Sequence, residues 1–148
     1  SAGAVASLAH DAIFTIGLFS ILYFRVPFGL EVDQSFIAAI LTIIGYSIND
    51  TVIIFDRIRE YTKLHPKHSR RDNINNAIND TLSRTFSTSF STLVVLIPIF
   101  FFGGEVIRGF IFALIMGIGV GTCSSVFVAT PLAYDIEQWW EKRKARKK

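Results

Sequence analysis

The sequence predicts an all-α membrane protein: a polytopic bundle of four transmembrane helices, with an inner-surface amphipathic helix between the second and third. Three observations carry that expectation. Of 148 residues, 51% are apolar and 18% charged, with a mean hydropathy of +0.44, whereas a water-soluble domain has nearer ~25% charged residues. The apolar residues gather into four stretches of about the ~20 residues needed to cross ~30 Å of hydrocarbon. Almost every cation sits outside those stretches on one side. An enzyme with a large aqueous core, a disordered tail and a disulfide scaffold are excluded by this composition, and the single Cys123 cannot pair within the chain.

The first span runs over residues 4–24. It lacks the basic flank and small-residue cleavage site of a signal peptide, and a start at Ser1 without Met suggests a piece of a longer protein. Pro27 and Gly29 mark a short turn into the second span, 36–55. The connection 56–81 is too long for a hairpin. Pro66 breaks it, and Asp72 to Phe86 place Ile74, Ala77, Ile78 and Leu82 at helical spacing, which predicts the amphipathic helix. The third span is 82–102, Gly103 and Gly104 form the next turn, and the fourth span is 110–134. In the tail, 137–148, Trp139 and Trp140 precede a basic cluster, as at an interfacial anchor.

The cations set the orientation. Of fifteen Lys and Arg residues, Arg25 and Arg108 alone fall in the connections after spans one and three. The connection after span two, with Arg84 just beyond it at the start of span three, and the tail hold all the others, so the positive-inside rule puts both, and both ends of the chain, in the cytoplasm. The pI near 9.2 is thus a matter of topology, and no nucleic-acid partner is expected. The whole chain reads as one transmembrane domain.

Asp11 and Asp50 lie within spans. At a helix centre each costs roughly 2.5–3.5 kcal/mol, offset only by about six apolar neighbours. Such a carboxyl must face the protein interior, find a partner or carry a proton. Asp50 sits about 9 Å from the inner end of span two, and Arg84 enters span three from that side. Ser47, Thr51, Ser87, Thr88 and Ser91 could line the seam between them, with Asn49 in the same polar tract. A low dielectric raises a carboxyl's pKa and a guanidinium lowers it, so relative motion of Asp50 and Arg84 could drive proton uptake and release. A permanent ion pair fastening two helices is the alternative. His10 and Asp11 point ~100° apart on a helix. They form no chelating face, so a polar packing role or a place on the proton path is expected and no metal. Gly117, Gly121 and Ser124 form a small-residue stripe for close helix packing. Ile-Asn-Asp-Thr at 48–51 and 78–81 is a coincidence, and no catalytic triad, Walker sequence or CxxC is present.

Several tracts together resemble the SecF family of bacterial protein-export membrane proteins. They are Leu8-Ala9-His10-Asp11, the run from Ile44 to Glu60, Ser83-Arg84-Thr85, Phe100 to Gly104, Gly117 to Gly121, and Ser124 to Ala129. The resemblance covers nearly the whole chain in the family's order, and Gly45 to Glu60 is its most specific part. It implies an RND-type, non-enzymatic translocation subunit of the inner membrane, without cofactor. This chain would supply the last four of six membrane helices. The implied partners are SecD, the SecYEG channel, the SecA ATPase, the translocating polypeptide and protons, with YajC as a further one. The family's functional acid and arginine fall on Asp50 and Arg84. A small-molecule or lipid exporter and a structural assembly subunit remain the alternatives.

Overall fold

A computed structural model describes residues 2–27, 29 and 33–146. Ser1, Lys147 and Lys148, the last two counted above in the basic tail, lie outside the described residues. The helices are α1 (Ala2–Leu22), α2 (Gln34–Leu64), α3 (Arg70–Phe102), α4 (Glu105–Ser124) and α5 (Thr130–Ala145), with a π turn (Ser125–Ala129) joining the last two. No strand occurs among the described residues. Four helical stretches are long and apolar enough to cross a membrane, α4 through α5 counting as one.

Local chemistry accounts for the ends. Asp33 caps α2 by accepting from Phe36 N at 2.9 Å, and Ser69 caps α3 by accepting from Asp72 N at 3.2 Å. Gly104 turns the chain between α3 and α4 at φ +79°, where a side chain would be strained. The π turn precedes Pro131. A proline has no N–H for the carbonyl four residues back and its ring crowds that carbonyl. A wider turn relieves the crowding, and Thr130 Oγ1 donates to Ser125 O at 3.3 Å.

α2 and α3 are longer than a membrane requires. Thirty-one and thirty-three residues rise about 46 and 50 Å, against ~30 Å of hydrocarbon. The stretch expected as a connection, 56–81, is therefore mostly helix, with a link at 65–69. The amphipathic helix is the leading half of α3 rather than a separate element. Asn73, Ile74, Ala77 and Thr81 make its buried face.

α4 lies centrally against α1, α2 and α3. Its Ile111, Leu114 and Ile118 pack with Phe19, Phe36, Ile43 and Leu96, and the Phe19 and Phe36 ring centroids lie 4.5 Å apart with the rings tilted at 48°. Ile43 fills the space that Gly117 leaves open, so close an approach that any Cβ there would overlap it. Large apolar side chains such as Phe86, Phe90, Phe101 and Phe102 face outward. The buried side chains include Ser7, Asp11, Thr15, Ser47, Asp50 and Thr51. Apolar outside and polar within is the arrangement a hydrocarbon solvent favours, because polar groups there must find partners inside the bundle.

Candidate functional site: a polar seam inside the bundle

The seam starts from α1. Ser7, Asp11 and Thr15 recur every fourth residue, so they share one face, and all three are buried. Asp11 is the hub. Ser47 Oγ of α2 donates to its Oδ2 at 2.7 Å, His10 Nδ1 lies 3.3 Å from its Oδ1, and Thr15 Oγ1 donates to its backbone carbonyl at 2.8 Å. Ser7 and Ser124 hydroxyls meet at 2.9 Å and tie α1 to the end of α4. A Cβ at Gly121 would stand in ordinary contact with Ser47 and Asp11, which places this glycine beside the seam.

Asp50 lies one turn further along the same face of α2 and is 1% exposed. Its Oδ2 is buried without a hydrogen-bond partner. The adjacent Thr51 reaches Ser125 Oγ at 3.3 Å. Ser125 spends its single proton on Gly121 O at 3.0 Å, so Thr51 must donate to Ser125. The π turn thereby belongs to the seam.

α3 contributes Thr85 and Ser89 rather than Ser87 and Ser91. Thr85 is buried with its hydroxyl unpartnered. Ser89 pairs with Thr122 of α4 at 2.5 Å. Thr122 already donates to Ile118 O, so Ser89 is the donor. Ser87, Thr88 and Ser91 are exposed, and Ser91 Oγ bonds back to Ser87 O at 2.8 Å. Asn49 is also exposed.

The depth of Arg84 and its direction must be separated. Tyr46 Oη contacts Thr88 O at 3.1 Å and Thr92 Oγ1 at 2.6 Å, which registers α2 against the antiparallel α3. Advancing about four residues from Tyr46 to Asp50 means retreating about four along α3, so Asp50 stands level with the segment from Arg84 to Thr88. Arg84 nevertheless lies on the exposed flank of α3, and among the described residues no ion pair joins it to Asp50.

At the basic end, Arg57 bridges Glu60 at 2.6 Å and Asp80 at 2.9 Å, and Tyr61 Oη donates to Asp80. The Tyr61 hydroxyl first, then the Arg57 guanidinium, hold the Asp80 carboxyl below the usual range. The same contact pushes Tyr61 up. Arg57, Tyr61 and Asp80 together fix how α2 meets α3 outside the apolar segments. Among the described residues no group of three His, Cys, Asp or Glu is placed to hold a metal.

Ser7, Thr15, Thr85, Ser89 and Thr122 were not singled out from the sequence. The fourfold spacing of Ser7, Asp11 and Thr15 carried the signal for α1. In α3 the run of hydroxyls from Thr85 to Thr92 covers every direction around the helix, so spacing could not choose among them.

Comparison with known proteins agrees with this geometry. Residues 1–139 match the family model for the protein export membrane protein SecD/SecF, C-terminal. The protein translocase subunit SecF of Rhodothermus marinus is 55% identical over 136 residues, 92% of this chain and 44% of that protein. SecF of Haemophilus influenzae is 49% identical over 134 residues, 90% of this chain and 39% of that one. The chain thus spans less than half the length of these curated relatives. A crystal structure of SecDF in a super-membrane-facing form superposes with a TM-score of 0.88 at 39% identity, covering 99% of this chain and 19% of that one. One of SecDF from Thermus thermophilus, a translocon-associated membrane protein, gives 0.81 at 39% identity over 93% of this chain and 18% of its own length. From the helix count through the polar seam to these matches, the chain belongs to the SecD/SecF family of protein-export membrane proteins.

Proposed function

We propose that the chain is the C-terminal four-helix membrane part of a SecF subunit. It works with SecD, beside the SecYEG channel and SecA, to spend the proton-motive force on moving secretory polypeptides across the bacterial inner membrane. The observation that carries the proton step is the Asp50 carboxyl, closed inside the bundle with one oxygen unpartnered and, among the described residues, no cation bonded to it. An ionised carboxylate in that position would bear an uncompensated desolvation penalty, which a bound proton removes. The geometry therefore accommodates Asp50 as a proton carrier. Asp11, held by Ser47 and His10 on the same seam, is a second carboxyl for the path, and Thr51 with Ser125 links Asp50's surroundings to the π turn.

Arg84 acts on Asp50 by approaching it. It is already level with the carboxyl and needs to turn inward from the flank of α3, where its charge would favour release of the proton. Arg84, Ser87 and Ser91 on the outer flank of α3 are costly to leave against lipid. A second membrane subunit or a hydrated crevice must cover them, which fits SecD as the neighbour. With the cation-rich ends of α2, α3 and α5 in the cytoplasm, Asp50 sits toward that side.

Translocation by the intact SecD–SecF complex in sealed vesicles tests this. Asp50→Asn should abolish the stimulation of export by an imposed proton gradient and spare the SecA- and ATP-driven part. Full proton-stimulated export in Asp50→Asn would refute the relay. The double variant Asp50→Asn with Arg84→Gln separates the relay from a fastening pair, because a purely structural pair tolerates joint neutralisation.

A further inference from the structure

A cavity of about 460 Å³ opens at the basic end between α1, α2, the first turns of α3, and α5. Leu8, Ile48, Val52 and Phe55 give it apolar walls, and Arg59, Lys63 and Arg70 stand at its mouth with Asp56. Arg59 and Lys63 are exposed, and the ion pair between α2 and α3 at this end uses Arg57 instead. The mouth therefore presents two exposed cations, Arg59 and Lys63, beside Asp56.

Its length matches one lipid leaflet. From Ile48 to Arg59 the groove follows α2 for about 16 Å, and half of a hydrocarbon core is about 15 Å. The hydroxyls that line the deep part are already committed. Thr51 bonds Ser125 Oγ and Thr130 bonds Ser125 O, so an apolar occupant would strand neither of them.

We propose that this cavity holds one anionic phospholipid of the adjoining leaflet, its phosphate between Arg59 and Lys63 and one acyl chain against Ile48, Val52 and Phe55. Charge selects the headgroup: basic pockets between membrane helices favour anionic lipid. A zwitterionic lipid brings an ammonium toward the same two cations. The bound chain seals the cytoplasmic side of α2 beside Thr51, one residue from Asp50. The site rests on the membrane reading of the chain.

Native mass spectrometry of the intact SecD–SecF complex, titrated with phosphatidylglycerol or phosphatidylethanolamine, tests the proposal. Phosphatidylglycerol should bind at least tenfold tighter. Arg59→Gln with Lys63→Gln should weaken it by about fivefold per cation lost, and Val52→Trp, which fills the groove without changing charge, should weaken it as well. Glycerol phosphate, the headgroup without chains, should not compete. Equal binding of the two lipids, or unchanged affinity in the charge variants, overturns the proposal. Competition by glycerol phosphate would reveal a soluble-anion site instead and also overturns it. Co-purification with SecD and resistance to alkaline extraction from membranes report separately on assembly and on the membrane reading.

Discussion

Replacing Gly117 by Ala puts one methyl group where α4 presses on α2. The new Cβ would lie 2.1 Å from Ile43 Cδ1, 2.4 Å from Cγ1 and 3.0 Å from Cγ2, against 3.5–4.0 Å for carbon atoms in contact. Ile43 must retreat by about 1.5 Å, yet it is 1% exposed and its β-branched side chain has a single favoured helix rotamer. Overpacking of this kind costs about 1–3 kcal/mol, and the small room for retreat places Gly117→Ala near ~2 kcal/mol. Ile43→Val removes only the outermost of the three clashing carbons and relieves little. Ile43→Ala removes all three. Alone, Ile43→Ala leaves a cavity and destabilises, but combined with Gly117→Ala it should show a favourable coupling of about 1–3 kcal/mol. Dodecyl-sulfate titration of the intact subunit in mixed micelles, followed by far-ultraviolet circular dichroism, measures the four stabilities. Additivity within about 0.5 kcal/mol, or a Gly117→Ala variant as stable as the parent, would refute the close approach.

Two further outcomes are expected. Ser47→Ala removes the hydroxyl that donates to Asp11 Oδ2. It should destabilise the same subunit by about 1–3 kcal/mol, the range for a buried acceptor left unpaired; a loss under about 0.5 kcal/mol would show that another donor takes over. At the basic end the Asp80 carboxyl is held below its ordinary value of 3.8 by Tyr61 and Arg57. A depressed folded-state pKa adds stability that is present above the unfolded value and lost as pH falls through the folded one. The α2–α3 contact there should persist at neutral pH and loosen only below about pH 4. Tyr61→Phe should move that loosening to higher pH, read as the distance between spin labels at Lys63 and Asn76. An unchanged acid limb in Tyr61→Phe would sink the assignment.

How much was legible before any coordinates depended on what each residue answers to. Four long apolar helices, their turns and the set of cations were readable because solvent imposes them one residue at a time: length and hydropathy must match hydrocarbon, and an acid in a span must hide. Hence Asp11 and Asp50 were placed inside from the sequence alone, and both are buried. The common depth of Asp50 and Arg84 was also readable, since antiparallel helices rise at the same rate.

Direction around each helix belonged to the tertiary structure. In water, a polar face announces which side is outside; in a bundle surrounded by hydrocarbon, where an apolar core lies beside the polar seam, that signal fades. Asp11 meets Ser47, Ser7 meets Ser124, and Thr85 and Ser89 turn inward where Ser87 and Ser91 turn out. Arg84 stands at the right height facing the wrong way for a pair. Those choices follow from which neighbour covers which side of a helix, fixed by contacts such as Gly117 against Ile43, and a contact between distant residues is a property of the packed bundle rather than of either segment.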